Sequence, residues 1–186
     1  MADDSRHGPV TRFSTGLASE SSFGFSRAVR AGDWILVSGC TATDATGTIA
    51  GINQMYTQAR TALGNIASVL ERMGSSLADV VRTRVYVTDI SDLPSIARAH
   101  REAFGEHPPA STLLEIGALA RGDALIEIDA DAYVGASPSQ QVQPDARARA
   151  RSATPSRTPS KARPRARVVR AKAPAPTKPR RKGRRR

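Results

Sequence analysis

The chain has 186 residues, which is enough for one ordinary domain with a sizeable core but not comfortably enough for two. Its formal net charge of +11 is unevenly distributed along the chain. Residues 1–138 contain 11 basic and 16 acidic residues, whereas residues 139–186 contain 17 basic residues and the single acid Asp145. Such asymmetry is typical of a basic interaction tail attached to an ordinary folded domain.

The composition argues against a secreted or membrane-spanning protein. Cys40 is the only cysteine, so no internal disulfide can form. The N-terminal sequence MADDSRHGPV has no apolar segment of the kind found in secretory signals, and no apolar run approaches the ~20 residues of a membrane span. We therefore expect a cytoplasmic protein.

The first predicted elements form a β-hairpin. Residues 1–10 are interpreted as a loose N-terminal end, and strands are predicted at 27–29 and 34–39 on either side of a turn at Gly32-Asp33. The sequence WILVSG of the second strand is typical of a buried strand. The stretch 41–51 is rich in Thr, Gly and Asp and predicts a loop.

A long amphipathic helix is predicted over residues 53–73. Its apolar residues are separated by 4, 4, 3, 4 and 3 positions, which places them in one stripe on a helix of 3.6 residues per turn. These residues are Met55, Ala59, Leu63, Ile66, Leu70 and Met73. Gly74 follows as the left-handed residue that commonly ends a helix.

Strands and a second helix are predicted in the following part of the chain. A strand over 80–88 alternates between two faces. The helix begins with Ser91 as its N-cap and has Pro94 in its first turn. Strands follow over 112–116 and 124–134, and the second of these alternates apolar and mostly acidic residues along its length.

The predicted order β-β-α-β-α-β-β defines an α+β domain over residues 11–136, with both helices on one face of the sheet. From residue 137 to residue 186 the pattern stops. This segment is rich in Pro, Ala, Ser, Thr, Arg and Lys and contains no aromatic residue. It cannot bury enough apolar surface to offset an ordering cost of ~1–2 kcal/mol per residue, so we predict a disordered basic tail.

Four segments of the folded part occur in a distinctive order and spacing. They are AVRAGDWILVSG (28–39), QARTALGNIASVLERMGSSLADVVRTRVYVTDI (58–90), AHREAFGEHPPAS (99–111) and LIEIDADA (125–132). Together they resemble the RidA/YjgF/YER057c family, whose older names are translation initiation inhibitor and endoribonuclease L-PSP. The resemblance implies a chorismate-mutase-like fold assembled as a homotrimer, with small-molecule clefts between the subunits.

Members of this family with known activity hydrolyse reactive enamines and imines such as 2-aminoacrylate. Their hallmark is an arginine in a Pro-Ala-Arg motif, which grips the substrate carboxylate through two parallel hydrogen bonds. The matching stretch here is Pro109-Ala110-Ser111, so Ser111 stands in the place of the catalytic arginine. Leu113 likewise replaces a family cysteine, and Arg98 falls about where active members have an asparagine.

Other positions agree with the family pattern. Ser38, Gly39 and Glu127 match it, and Phe25 takes the place of a family tyrosine. In the family, this glutamate lies in the cleft and holds the hydrolytic water. The resemblance thus implies Glu127 as the catalytic residue, and it implies substrate contacts from Phe25, Ser38, Gly39, Arg98 and Ser111.

The same residues also have simpler interpretations. Glu127 is compatible with a solvated carboxylate on a strand face, Ser111 with a strand-edge serine bonded to backbone, and Arg98 with an exposed helix residue. The chain has three histidines and one cysteine, and no two of them have the spacing of metal ligands. We therefore predict no metal site and no cofactor.

Three functions are compatible with the sequence. The first is hydrolysis of an enamine or imine metabolite, and the second is ligand binding or regulation without catalysis, which the serine at position 111 favours. The third is association with nucleic acid through residues 147–186, whose cations bind phosphates without reading sequence. The basic run is also compatible with binding to acidic proteins or anionic membranes, or with an inert extension.

We predict that the tail gives the full chain salt-sensitive affinity for duplex DNA without sequence preference. Each phosphate neutralised by a cation releases counterions, so the log–log slope of affinity against salt is about −0.9 per contact. A gel-shift titration at several salt concentrations compares the full chain with a chain ending at Pro138, which loses all 17 basic residues of the tail. Equal binding by both chains, or no binding by either at low salt, would show that the basic run is inert.

Overall fold

The computed structural model of the chain describes residues 9–136. Within this range lie six strands and three α-helices, joined in part by two single turns of 3₁₀ helix. The strands are β1 (Val10–Phe13), β2 (Ala28–Ala31), β3 (Trp34–Cys40), β4 (Val80–Val87), β5 (Ala110–Glu115) and β6 (Ile126–Tyr133). The helices are α1 (Ala18–Phe23), α2 (Met55–Arg72) and α3 (Leu93–Phe104).

The strands form one mixed sheet in the order β1-β2-β3-β6-β4-β5. The β4–β5 pair is parallel, and the other neighbouring pairs are antiparallel. A parallel pair cannot be joined by a hairpin, and α3 lies in the crossover between β4 and β5. The predicted α+β class is confirmed, because strands pair both with their sequence neighbours and across the helices.

The core lies between one face of the sheet and the two long helices. Alternate residues of β6, from Ile126 to Ala132, are buried in a cluster with side chains of α2 and α3. The predicted apolar stripe of α2 is buried along its whole length in this same cluster. Burying one large aliphatic side chain contributes about 1.5–3 kcal/mol, so this stripe anchors α2 on the sheet.

The opposite face of the sheet carries an ion-pair network and exposed apolar side chains. Arg84 on β4 donates to Asp129 Oδ1 at 2.6 Å and to Asp131 Oδ2 at 3.1 Å, both on the neighbouring strand β6. Four large apolar side chains on this face are between 39% and 51% exposed. They are Trp34, Leu36, Leu114 and Tyr133.

The ends of the long helices lie close to the predicted positions. Gly74 has φ +77°, so it takes the left-handed conformation expected after α2. Pro94 lies in the first turn of α3, as predicted. The prediction of Ser91 as the N-cap of this helix is wrong, because Ser91 lies within a 3₁₀ turn. The carboxylate of Asp89 starts that turn by accepting a hydrogen bond from the Ser91 N–H at 2.8 Å.

The sequence prediction omitted two elements, β1 and α1. Val10 begins β1, so the strand starts one residue before the predicted domain boundary. This edge strand has only four residues and is largely exposed, so it shows no alternation to recognise. Helix α1 has six residues, and its N-cap Leu17 makes no side-chain capping bond, so the usual start signal is missing.

The loose N-terminus predicted for residues 1–10 falls mostly outside the described residues. The tail predicted for 137–186 lies wholly outside them. Within residues 9–136, no helix is long and apolar enough to cross a membrane.

Candidate active-site cleft

A cleft of about 1100 Å³ lies beside the end of β3. Its walls come from the segment around α1, the end of β3 and the loop that follows it, and one face of α2. Four of the six residues that the sequence singled out line this one cleft: Phe25, Ser38, Gly39 and Glu127. The fold thus brings together residues that are separated by more than 100 positions in the chain.

A β-bulge in β3 creates the floor of the cleft. Val37 pairs with Ala130 and Cys40 pairs with Ile128, so two residues of β3 are opposite one residue of β6. The two residues are Ser38 and Gly39. Bulges of this kind redirect side chains and occur frequently next to active sites. Ser38 is held in place, since its hydroxyl donates to the Ser26 carbonyl at 2.8 Å and its N–H donates to the Arg27 carbonyl at 3.0 Å.

The carboxyl group of Glu127 packs directly against Gly39. A Cβ atom at position 39 would overlap Glu127 Oε1 and would lie 2.8 Å from its Cδ. Glycine is therefore needed here for close approach, although its backbone conformation is an ordinary one. Any larger side chain at position 39 would displace the carboxyl group.

Glu127 is a partly buried acid, and no residue in 9–136 makes a hydrogen bond to its carboxyl group. Burial raises the pKa of Glu127, since it penalises the charged form. Arg27 opposes this change and Asp129 on the same strand adds to it. A carboxyl group with a raised pKa, at the wall of a cleft, is a candidate for acid–base chemistry.

A buried ion pair between Glu20 and Arg27 holds the backbone of the bulge. Glu20 of α1 is 4% exposed and Arg27 is 9% exposed. Arg27 Nε donates to Glu20 Oε1 at 3.1 Å, and its Nη1 donates to the Gly39 carbonyl at 2.7 Å. Ser14 and Thr15 complete the coordination of the Glu20 carboxylate. Burial alone would raise the pKa of Glu20, but the hydrogen bonds from Ser14, Thr15 and Arg27 hold it at about 2.

Cys40, which follows the bulge, behaves as a small core residue. Its side chain is buried, and burial raises the pKa of the thiol. A thiol in this environment is a poor nucleophile, because the reactive form is the thiolate. The loop beyond Cys40 is tied to α2 by Asn65, whose amide donates to the carbonyls of Thr41 and Thr43 at 3.0 and 2.9 Å.

Ser111 and Arg98 do not line this cleft within one chain. Ser111 is exposed on β5, two strands from β6, and Thr83 Oγ1 donates to its hydroxyl at 2.9 Å. Thr83 in turn lies 3.2 Å from His100 Nε2. Arg98 is exposed on α3, where it pairs with Glu102 at 2.9 Å. Both residues remain predictions that concern an assembly of several chains.

Arg27, which lines the cleft, and its partner Glu20 were not identified from the sequence. They are seven positions apart, with no helical or strand period between them that would suggest a pair. The only available signal is a charged residue, Arg27, at the start of an otherwise apolar strand. Among residues 9–136, no group of His, Cys, Asp or Glu side chains is arranged to hold a metal ion.

Comparisons with known proteins agree with this architecture. Residues 15–134 match the family described as Endoribonuclease L-PSP. A crystal structure of a YjgF/YER057c/UK114 family member from Mycobacterium tuberculosis is 42% identical, with a TM-score of 0.63 and coverage of 68% of this chain and all of that one. An uncharacterized protein from Streptomyces coelicolor is 35% identical over 130 residues, which are 70% of this chain and 96% of that protein.

A further relative has a name that describes an activity. This protein, from Salmonella typhimurium, is named 2-iminobutanoate/2-iminopropanoate deaminase and is 31% identical over 112 residues, covering 58% of this chain and 85% of that protein. Together the matches define the class as an α+β protein of the Endoribonuclease L-PSP type. The chain belongs to this family, which is the RidA/YjgF family that its motifs resemble.

We predict that Glu127→Gln stabilises the chain at neutral pH. Because folding raises the pKa of Glu127, the ionised side chain destabilises the folded state at neutral pH, and a neutral amide removes that cost. As the pH falls towards the ordinary value of 4.5, the wild-type carboxyl group becomes protonated and the advantage shrinks. Urea unfolding at neutral pH and near pH 4.5 measures both effects.

The control for this experiment is Glu71→Gln on the exposed face of α2, which we expect to change stability little at either pH. A Glu127→Gln variant that is less stable than the wild type at neutral pH would contradict the prediction.

Proposed function

We propose that this protein binds an imine or enamine metabolite in the cleft beside β3 and hydrolyses it, with Glu127 as the acid–base residue. One observation carries the proposal. The Glu127 carboxyl group reaches the cleft wall against Gly39 without a hydrogen-bond partner among residues 9–136, and its pKa is raised. A purely structural carboxylate would be paired or fully solvated.

The chemistry needs one group that both accepts and donates a proton. Water adds to the carbon of the C=N bond while the carboxylate takes a proton from that water, and the imine nitrogen gains a proton. The resulting amino alcohol collapses to the carbonyl product and releases ammonia, which requires a proton at the leaving nitrogen. A carboxyl group whose pKa lies nearer the working pH serves both steps better than an ordinary glutamate.

The name of the Salmonella relative supports this reaction class. Ser111, however, argues against the same substrate preference in this chain. By resemblance, Ser111 occupies the position of an arginine that holds the substrate carboxylate. A hydroxyl group cannot form a charged two-pronged contact, and each charge-assisted hydrogen bond contributes ~1.5–3 kcal/mol. We therefore expect weak turnover of 2-aminoacrylate. The alternative is a ligand-binding or regulatory protein without turnover.

We also propose that the chain assembles as a homotrimer, with Ser111 and Arg98 approaching a neighbouring subunit's cleft. The exposed apolar side chains on the open face of the sheet support an assembly, because a face of this kind is usually covered. Ser111 lies on the edge strand β5, where a second chain has access to it.

A second function, non-specific binding of nucleic acid, is supported by charge alone. The segment after residue 138 contains 17 basic residues and a single acid, Asp145, which precedes them all. Such a run binds phosphates through counterion release, whatever the role of the folded domain.

We predict that Glu127→Gln lowers ammonia release from imines at least tenfold, because general acid–base catalysis typically contributes ~10²–10⁴-fold. The imines are generated in situ from several amino acids, and ammonia release is compared with the spontaneous rate. Glu71→Gln serves as the matched control and should leave the rate unchanged. Turnover that survives in Glu127→Gln would place the chemistry elsewhere, and the absence of wild-type turnover on all imines would favour the ligand-binding alternative.

For the assembly, we predict that sedimentation of the full chain gives a mass near three subunits and that Leu36→Asp dissociates it. The aspartate would introduce a charge into an apolar contact on the open face of the sheet. Ile52→Asp is the matched control, since Ile52 is similarly exposed but lies in a loop before α2. A monomeric wild-type chain, or equal effects of the two substitutions, would refute the assembly.

A further inference from the structure

We propose that Arg27 both positions the Glu127 carboxyl group and stabilises its ionised form through its own charge, a role that rests on the proposed function of the cleft. With Glu20 as its anchor, Arg27 holds the bulge against which the Glu127 carboxyl group packs, and its positive charge lines the same cleft as this carboxyl group. Neither Arg27 nor Glu20 belongs to the residues that the family resemblance singled out.

Arg27 uses two of its three side-chain nitrogens to hold neighbouring groups. Nε is taken by Glu20 and Nη1 by the Gly39 carbonyl. Within residues 9–136, Nη2 has no hydrogen-bond partner, and no buried side-chain nitrogen is left without one. Nη2 is therefore open to the cleft that Arg27 lines. The guanidinium plane is steadied by Phe25, whose ring centre is 5.1 Å from the guanidinium carbon.

A chain of contacts leads from Arg27 through Gly39 to Glu127. Arg27 fixes the carbonyl of Gly39, and the Cα of Gly39 is the surface on which the Glu127 carboxyl group rests. If the guanidinium group moved, the bulge would lose this hydrogen bond, and the Glu127 carboxyl group would lose the fixed surface on which it packs. Because Glu20 receives bonds from Ser14, Thr15 and Arg27, it links this arrangement to the segment that leads into α1.

Burial of the Glu20–Arg27 ion pair has a free-energy cost. Removing two charges from water costs several kcal/mol per ion, and apolar replacements of similar volume are often neutral or stabilising. Stability alone therefore does not explain a buried Glu–Arg pair of which Arg27 lines the cleft. An effect of its charges on the neighbouring acid does, because Arg27 is the cation whose field lowers the pKa of Glu127.

The other charged and titratable groups around Glu127 come from each element that packs near it. Asp129 on β6 raises the pKa of Glu127, but it is itself paired with Arg84 on β4. The remaining groups are the Cys40 thiol on β3, the Tyr86 hydroxyl directly across on β4, and Asp44 and Arg121 in the loops that line the cleft. Of the cations in the described residues, Arg27 alone contributes to the shift of Glu127.

Removing each member of the pair gives opposite expectations. Arg27→Gln removes the positive charge, so the pKa of Glu127 should rise. Glu20→Gln removes the negative charge that offsets Arg27, so the pKa of Glu127 should fall. A pair with a purely structural role would give shifts of the same sign, because both substitutions loosen the same bulge.

The experiment is a pH titration of the full chain by carboxyl-carbon NMR, with glutamate labelled at the side-chain carboxyl group and the Glu127 signal assigned by its loss in Glu127→Gln. We expect opposite shifts of the Glu127 midpoint in Arg27→Gln and Glu20→Gln. Arg72→Gln is the matched control: Arg72 lines the same cleft and stacks on Phe13, yet does not contribute to the shift of Glu127, so its removal should leave the midpoint in place.

Shifts of the same sign, or an unchanged midpoint in Arg27→Gln, would overturn the proposal. If Arg27→Gln does not fold, the Glu20→Gln variant decides alone, because its amide oxygen can still accept a hydrogen bond from Arg27 Nε. A constant or raised titration midpoint of Glu127 in that variant would then overturn the proposal. The readout does not depend on turnover. Opposite shifts without ammonia release would refute the proposed function while leaving the positioning role intact.

Discussion

The contact between the Glu127 carboxyl group and Gly39 is the constraint on which the cleft depends. It requires a residue without a side chain at position 39, and it requires an extra residue in β3 so that this position turns towards Glu127. The core is undisturbed by the extra residue, because Val37 before the bulge and Cys40 after it are both buried. The bulge therefore opens a polar site at the end of a strand that is otherwise built for the core.

Two acids near this bulge show how environment separates the roles of identical side chains. Glu20 is more deeply buried than Glu127, yet its hydrogen bonds and its partner Arg27 keep its pKa at about 2. Glu127 lacks such partners in the described residues, so burial raises its pKa. Glu20 is consequently ionised near neutral pH, whereas the pKa of Glu127 is moved in the opposite direction, above its ordinary value. Pairs of carboxyl groups whose environments move their pKa values apart are a recurring feature of acid–base sites.

The sequence was informative where one local pattern determined the outcome. The apolar spacing in α2 depends only on the helical period, and the alternation in β6 depends only on the pleat, so both elements were predicted closely. The short elements β1 and α1 carry no such period and were missed. At the site, the motif resemblance grouped Phe25, Ser38, Gly39 and Glu127, and the fold places all four in one cleft.

The Glu20–Arg27 ion pair could not be predicted from the sequence, for a different physical reason. Whether a charged residue at the start of a strand meets an acid depends on how the preceding segment returns to the sheet, and no local preference encodes that path. The same holds for Ser111, whose partner Thr83 is 28 positions away and becomes its neighbour only through the parallel pairing of β4 and β5. Long-range pairing of this kind is a property of topology.

The family resemblance implies that Ser111 and Glu127 belong to one cleft, but within one chain the two residues lie apart. In one chain β4 lies between the strand of Ser111 and the strand of Glu127, and the Ser111 hydroxyl bonds to Thr83 on the side of the sheet that packs against α3. Glu127 belongs to the other face, with Asp129 and Asp131. No side-chain rotation brings the two together within one subunit. A ligand that touches both must therefore lie between two chains, so the proposed chemistry of Glu127 and the proposed assembly depend on each other.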